Sequence, residues 1–396
     1  MGRRQRKRKP DDRTKFRTAV EAIGCNLTSL ALSETTLPLA VPRRSGVMWS
    51  ASRYRHEAYG QHFLDALDLM THPEIGLAET VTRGFRLADG RRRQTTIRPT
   101  LAFLDAVEVK ALDWSAFKRM EHPEVLVLHG PKDRKTGRSD ALDYKDTATT
   151  RKLRSQIRTI NTYLSAAPII LLPATQPPLL DTLPVDPTRR TVRRIFNNGK
   201  WTEGGRLFDG FWETMPRQER FARLRIGTVA CAEGEPIANV DFGQLFTALA
   251  YRQCNLPTPD GDLYDIRGDG SHRDGFKRLL NAMLFAQGPL TRWPQDTSSG
   301  FPRGTKLQAV LAAIRHHHAS IAHLFGTGIG FTLMAIESAI LIDALLRLFA
   351  SGVTALPLHD SVLVAQSHEN AAREAMQTAH WTYARFRAKL HVDKGE

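Results

Sequence analysis

Cysteine is scarce in this chain: three residues in 396, at Cys25, Cys231 and Cys254, far apart and without paired spacing. That excludes a disulfide framework and a zinc ribbon, and fits a reducing, cytoplasmic setting. An unbroken apolar run is missing too. The best candidate, Ile329 to Ala350, is interrupted by Glu337, Asp343 and Arg347, so a buried helix is expected there and no membrane span. No secretory leader is read at the start, where basic residues meet Asp11 and Asp12 without an apolar core. Acidic residues are outnumbered, 41 Asp and Glu against 56 Lys and Arg, leaving a net charge of +15.

Nine of those cations (Arg3, Arg4, Arg6, Lys7, Arg8, Lys9, Arg13, Lys15 and Arg17) crowd residues 1–17, and residues 1–20 are expected to form a disordered basic arm. The remaining excess is spread over the body. A basic body attracts polyphosphate and binds it in a salt-sensitive way, which points to nucleic acid as partner. The 41% hydrophobic content is that of a globular chain, and the length suits two or three domains.

Apolar spacing from Tyr54 to about Met70 predicts a helix. Thr80–Leu87, a turn at Asp89-Gly90 and Arg91–Ile97 read as a β-hairpin. Helices followed by a hairpin bearing Arg91, Arg92 and Arg93 suggest a nucleic-acid-binding module over residues 21–140. A winged helix is one reading of it and an ordinary linker hairpin the other. A short strand at Glu124–Leu128 follows. A basic helix capped by Asp146 or Thr147 is expected to run to Leu164, offering Lys152, Arg154 and Arg158 to a phosphate backbone as a reduced thumb. Six prolines between residues 167 and 189 predict a linker, closing a 141–192 segment ahead of a catalytic domain at 193–396.

Three elements of that domain carry chemistry. In Pro236–Phe246 an apolar strand ends in Asp241 and turns into a helix, and a carboxylate there suits a hard cation. In Ala355–Val364 two apolar runs flank His359-Asp360-Ser361, so a tight hairpin is expected with Asp360 at its bend. Adjacent strands would present both aspartates to two Mg²⁺ ions about 4 Å apart, with Mn²⁺ as an alternative. In Arg273–Phe285, the residues Arg273, Lys277, Asn281 and Phe285 share one helical face. The cations suit a nucleoside triphosphate and Phe285 the base beside it.

These elements, in this order, resemble the palm and fingers of the family-A DNA polymerases and the single-subunit phage-type RNA polymerases. The resemblance covers roughly residues 200–390. It implies an α+β fold, with an antiparallel palm and helical fingers over about 256–323; the basic N-terminal module read above precedes them. It also implies that Asp241 and Asp360 bind the catalytic metals, and that Arg273 and Lys277 bind triphosphate. The expected partners are primer–template and nucleoside triphosphates, and a phage or plasmid replication role is compatible with it. His-Asp-Ser resembles the RNA branch. Phe285 stands where that branch has Tyr, and Phe246 is bulky enough to block a ribose 2′-hydroxyl; both favour DNA synthesis. Arg206, after Gly204-Gly205, reads equally as a residue that reaches primer–template and as a structural arginine. Glu337, on an apolar helix face, must meet a partner or the active-site cleft.

Some residues invite other readings. His316-His317-His318 is expected as a polar helix face, since consecutive helical residues diverge by about 100°. His359-Asp360 also fits a metal phosphohydrolase, and the basic arm and hairpin fit a replication-initiation protein without catalysis. Both alternatives stay open at this point.

Overall fold

The computed structural model describes residues 8–33, 35–86, 92–117, 119–133, 135–174 and 185–395. Two compact units emerge, Met1–Glu124 with Pro173–Arg190, and Val125–Leu172 with Thr191–Glu396.

In the first unit, Pro10 opens α1 (Pro10–Leu32), and Asp11 and Asp12 follow it in the first turn. Proline loses nothing at a helix start, and acids there complement the helix dipole. The expected disorder through residue 20 is therefore corrected. Lys15 and Arg17 are held on a helix by i,i+4 pairs with Asp11 and Glu21, while residues 1–7 lie outside the described residues. Next come β1 (Leu39–Val41), α2 (Ser45–Met48), α3 (Gln61–Met70), β2 (Ala78–Thr82), β3 (Phe85–Arg86), β4 (Arg92–Arg93), β5 (Thr95–Pro99) and α4 (Leu101–Val109). Gly60, at φ 148°, delays the helix expected from Tyr54 until Gln61. The sheet runs β1-β5-β2, all antiparallel, and β3 pairs β4 as the expected hairpin. Its turn and Arg91 lie outside the described residues. Ala19, Ile23, Leu27, Phe63, Leu67 and Ile97 form this unit's core.

The second unit contains β6 (Leu126–Leu128), α5 (Ala148–Ala166), β7 (Ile169–Leu171), β8 (Arg193–Phe196), β9 (Gly204–Phe208), α6 (Phe211–Thr214), α7 (Arg217–Arg223), β10 (Leu224–Ile226) and β11 (Glu235–Gly243). It continues with α8 (Leu245–Gln253), α9 (Arg273–Phe285), α10 (Leu307–His317), α11 (Gly330–Ala350), β12 (Ala355–Leu358), β13 (Ser361–Ala365), α12 (Glu369–Ala384) and β14 (Lys389–Asp393). The predicted boundaries at 140 and 192 are corrected. β6 pairs parallel with β8, and α5 buries Ile157, Ile160 and Leu164 within this unit. Tyr163 of α5 stacks on Phe349 of α11 at 4.7 Å. The apolar face of α5 is thus used in packing, which leaves Lys152 and Arg158 exposed on its other side. Thr147 supplies the cap in a capping box with Thr150. Arg154 is buried and donates to Asp146 at 2.7 Å, so it is not available to a phosphate backbone as expected. Within the proline-rich stretch, Ile169–Leu171 is a strand of the large sheet.

That sheet runs β12-β13-β11-β10-β7, and β14 also pairs with β11. Every pairing is antiparallel. β11 is long enough to serve β10 with its first residues and β14 with its last, while β13 takes its other edge. α11 buries Leu333, Ile340, Leu341 and Leu345. Among the described residues no helix is long and apolar enough to cross a membrane. The polar face expected of the histidine triplet is corrected at its last member. His318 is buried, with Nδ1 on the Tyr251 hydroxyl and Nε2 on the Leu263 carbonyl, both at 2.9 Å. Burial holds its pKa down to about 4.

Trp212 is fully buried and donates from Nε1 to the Pro357 carbonyl at 2.7 Å, fixing β12 from outside the sheet. Trp212→Ala is expected to cost about 3–5 kcal/mol through the cavity and the orphaned carbonyl. Urea titration reads this, and a loss under about 1 kcal/mol would contradict it.

Candidate active site

Asp241 is the Cα partner of Ser361 across the β11–β13 pair. Asp360 is the next residue toward the bend, in the two-residue connection between Leu358 and Ser361. Opposed residues in an antiparallel pair lie about 5 Å apart, so register alone brings the two carboxylates to one place. His359 makes the bend in the left-handed region, φ 59°, a conformation in which His is over-represented among non-glycine residues. Both expected metal ligands are thus adjacent.

The electrostatics follow from that adjacency. Burial first, and then the Asp360 charge, push the Asp241 pKa up to about 7; Lys277 pulls against them, and Glu337 adds a smaller upward push. Asp241 Oδ1 is buried without a hydrogen-bond partner. Two carboxylates repelling each other, one with an orphaned oxygen, fit a divalent cation. Among the described residues no group of three or more His, Cys, Asp or Glu could hold a metal. The protein would therefore supply two carboxylates and leave further positions to water and phosphate, as Mg²⁺ sites commonly do. The phosphohydrolase reading, which needs further histidines around the His-Asp doublet, finds none grouped with it there.

α9 carries the cations. Lys277 is exposed, forms no ion pair among the described residues, and lies 5.9 Å from the Tyr264 ring centroid. Arg273 sits over the same ring at 5.4 Å. Its Nε donates to Asp262, and Nη1 lies 3.7 Å from Asp274. Arg273 is thus already engaged by a carboxylate. Sequence reasoning missed Asp262 and Tyr264. They sit in an irregular loop before α9, where no periodicity marks them, and only the fold carries them to the helix.

Phe246 and Phe285 meet edge to face at 5.5 Å. Phe331 packs on Phe285 at 5.2 Å, and a Cβ on Gly330 would lie 2.7 Å from the Phe285 ring. Glu337 is fully buried and finds its partner in Arg206, which donates from Nε and Nη2 at 2.7 and 2.8 Å. Burial pushes the Glu337 pKa up to about 7 against the pull of Arg206. For Arg206, burial works against the charge, yet Glu337 outweighs it and the pKa is raised. The bidentate geometry is that of a charged pair. Arg206 also lies 5.5 Å from the Phe246 ring centroid, and burial, with Arg206 next, holds the His359 pKa down. Asp241, Asp360, His359, Lys277, Arg206 and Glu337 therefore share one neighbourhood, with Arg273, Phe246 and Phe285 linked to it through rings. Lys152 is exposed on α5, and no described contact joins it to this group. Arg92 and Arg93 belong to β4 of the first unit.

No protein-family model matches the sequence, and no curated protein matches it. Among solved structures, one match is the POL domain of Pol1 from M. smegmatis, in complex with DNA primer-template and dNTP. It has 10% identity and a TM-score of 0.34 over 66% of this chain. The chain spans 57% of the length of that protein. A likeness this low assigns neither fold nor activity.

The raised Asp241 pKa makes a stability prediction. The folded carboxyl keeps its proton up to about 7, whereas an unperturbed aspartate releases it near 3.8. The folded state thus binds more protons across that window, and the metal-free protein loses stability as pH rises through it. Asp241→Asn removes the effect. In EDTA the two Tm values should converge near pH 4, and the variant should melt at least about 2 °C higher at pH 8. A lower variant Tm at pH 8 would contradict the raised pKa of the buried Asp241 carboxyl.

Proposed function

We propose that the chain is a template-dependent nucleic-acid polymerase, with DNA synthesis as its chemistry. A primer 3′-hydroxyl attacks the α-phosphate of a nucleoside triphosphate, and pyrophosphate leaves. The observation that carries this reading is the convergence of Asp241 and Asp360 opposite the Lys277 face of α9. In this reading the antiparallel sheet is the palm and the α9–α10 region the fingers. The first unit is a nucleic-acid-binding module, for which the helix–strand order and the β1-β5-β2 sheet favour a winged helix.

Two Mg²⁺ or Mn²⁺ ions held by Asp241 and Asp360 would make the primer hydroxyl a better nucleophile and neutralise charge on the leaving pyrophosphate. The side chains around them divide the remaining work. Lys277, free of ion pairs among the described residues, takes the triphosphate. Arg273 exchanges Asp262 for a phosphate oxygen, keeping a charge-assisted contact in both states. Phe285 stacks beside the incoming base. Phe246, wedged against Phe285, fills the space a ribose 2′-hydroxyl would need. Arg206, held by Glu337 in one orientation, reaches the primer–template end near Asp360.

Primer extension with Mg²⁺ tests these roles. Asp241→Asn should abolish turnover. Lys277→Ala should raise the KM for nucleotide about tenfold or more while lowering kcat less, since it removes a charged contact made on binding. Both variants near wild type would remove the assignment. Phe246→Ala should admit ribonucleotides, and unchanged sugar selectivity would eliminate the steric role of that ring.

A further inference from the structure

The first unit has a cationic feature of its own. A groove of about 1040 Å³ is lined by the β3–β4 hairpin, the residues after β1 and the C-terminal end of α3. Arg43, Arg44, Arg83 and Arg93 line it, against the single acid Asp68. Asp68 is taken by Arg43 at 2.6 Å. Arg44, Arg83 and Arg93 pair with no carboxylate among the described residues. Their charge is uncompensated, and it lines a concave surface, where field lines concentrate.

An aromatic stands among these cations. Phe85 is the cross-strand partner of Arg93, so ring and guanidinium side with one another on the hairpin. The ring is 47% exposed. Gly84 permits the close approach behind it, because a Cβ there would meet Thr95 Oγ1 at 2.9 Å. The Gly84 N–H donates to that hydroxyl at 3.1 Å, pinning the base of the hairpin.

We propose that this groove binds a single nucleic-acid strand, with phosphates on Arg44, Arg83 and Arg93 and a base stacked on Phe85. A cationic track interleaved with an exposed ring suits unpaired bases, since every base offers a π-face. A duplex-reading mode would instead send α3 into a major groove. That helix carries no Lys or Arg, and its two carboxylates are already paired, Asp68 with Arg43 and Asp65 with Arg8, so it offers no cation to the phosphate walls. The hairpin is the face that binds. This site belongs to the first unit and does not depend on the carboxylates of the second.

Fluorescence anisotropy with the full chain and a labelled oligodeoxynucleotide, single-stranded or duplex, over a KCl series tests it. Arg83→Ala/Arg93→Ala should weaken single-strand binding about tenfold or more. It should also flatten the slope of log K on log salt by about 1.4, roughly 0.7 for each phosphate no longer neutralised. Phe85→Ala should weaken it about tenfold with the slope unchanged. All three side chains are exposed, so thermal melts should match wild type. The effect on duplex binding should be smaller. Unchanged affinity and slope, or an equal or greater weakening on duplex, would overturn the proposal. Nucleotide incorporation at saturating primer–template reports separately on the carboxylate site, so either idea can fail alone.

Discussion

The pairing of β11 with β13 is the constraint from which the rest follows. Its register sets Asp241 opposite Ser361 and therefore beside Asp360. Without cations, burial withholds the water that would solvate the Asp241 charge, and the neighbouring Asp360 charge adds to the cost. Raising a pKa in this way costs about 1.4 kcal/mol for each pH decade it spans. The fold tolerates the cost because β11 is held on both edges, by β13 on one side and by β10 and β14 on the other. Lys277 offsets part of it from α9. An arrangement that is unfavourable empty and favourable around positive charge is what a cation site requires.

Around this centre the supporting contacts share one design, in which a side chain of the candidate site is held by a neighbour. Glu337 holds Arg206 by two parallel hydrogen bonds. Tyr264 underlies Arg273 and Lys277. Phe331 and the bare Cα of Gly330 set the Phe285 ring. Trp212 clamps Pro357 and so fixes the strand that carries the bend. Each of these restricts a rotamer, and such preorganisation would lower the entropy cost of binding a ligand there.

Much of this is legible in one dimension wherever periodicity and chemistry coincide. The strand into Asp241, the hairpin around Asp360 and the shared face of Arg273, Lys277 and Phe285 all follow from local pattern. Glu337 is legible as a buried acid needing a partner, though not as the partner of Arg206. Local pattern fails where tertiary packing decides. Arg154 reads as solvent-facing on a basic helix, yet Asp146 and Tyr144 draw it inward. His318 reads as a surface histidine, but the helix ends there and two hydrogen-bond partners meet its ring inside. Asp262 reaches Arg273 across a loop that carries no periodic signal. Pro10 and two acids form a helix start inside a stretch whose charge suggests disorder.

If Asp241 and Asp360 form one cation site, removing either carboxylate should abolish it. Electron paramagnetic resonance of free Mn²⁺, titrated with wild-type chain, Asp241→Asn and Asp360→Asn, measures this without requiring turnover. Wild type should deplete the free Mn²⁺ signal, and each single variant should lose most of that binding, because neither carboxylate suffices alone. Undiminished Mn²⁺ binding in either variant would show that the two carboxylates do not share a cation.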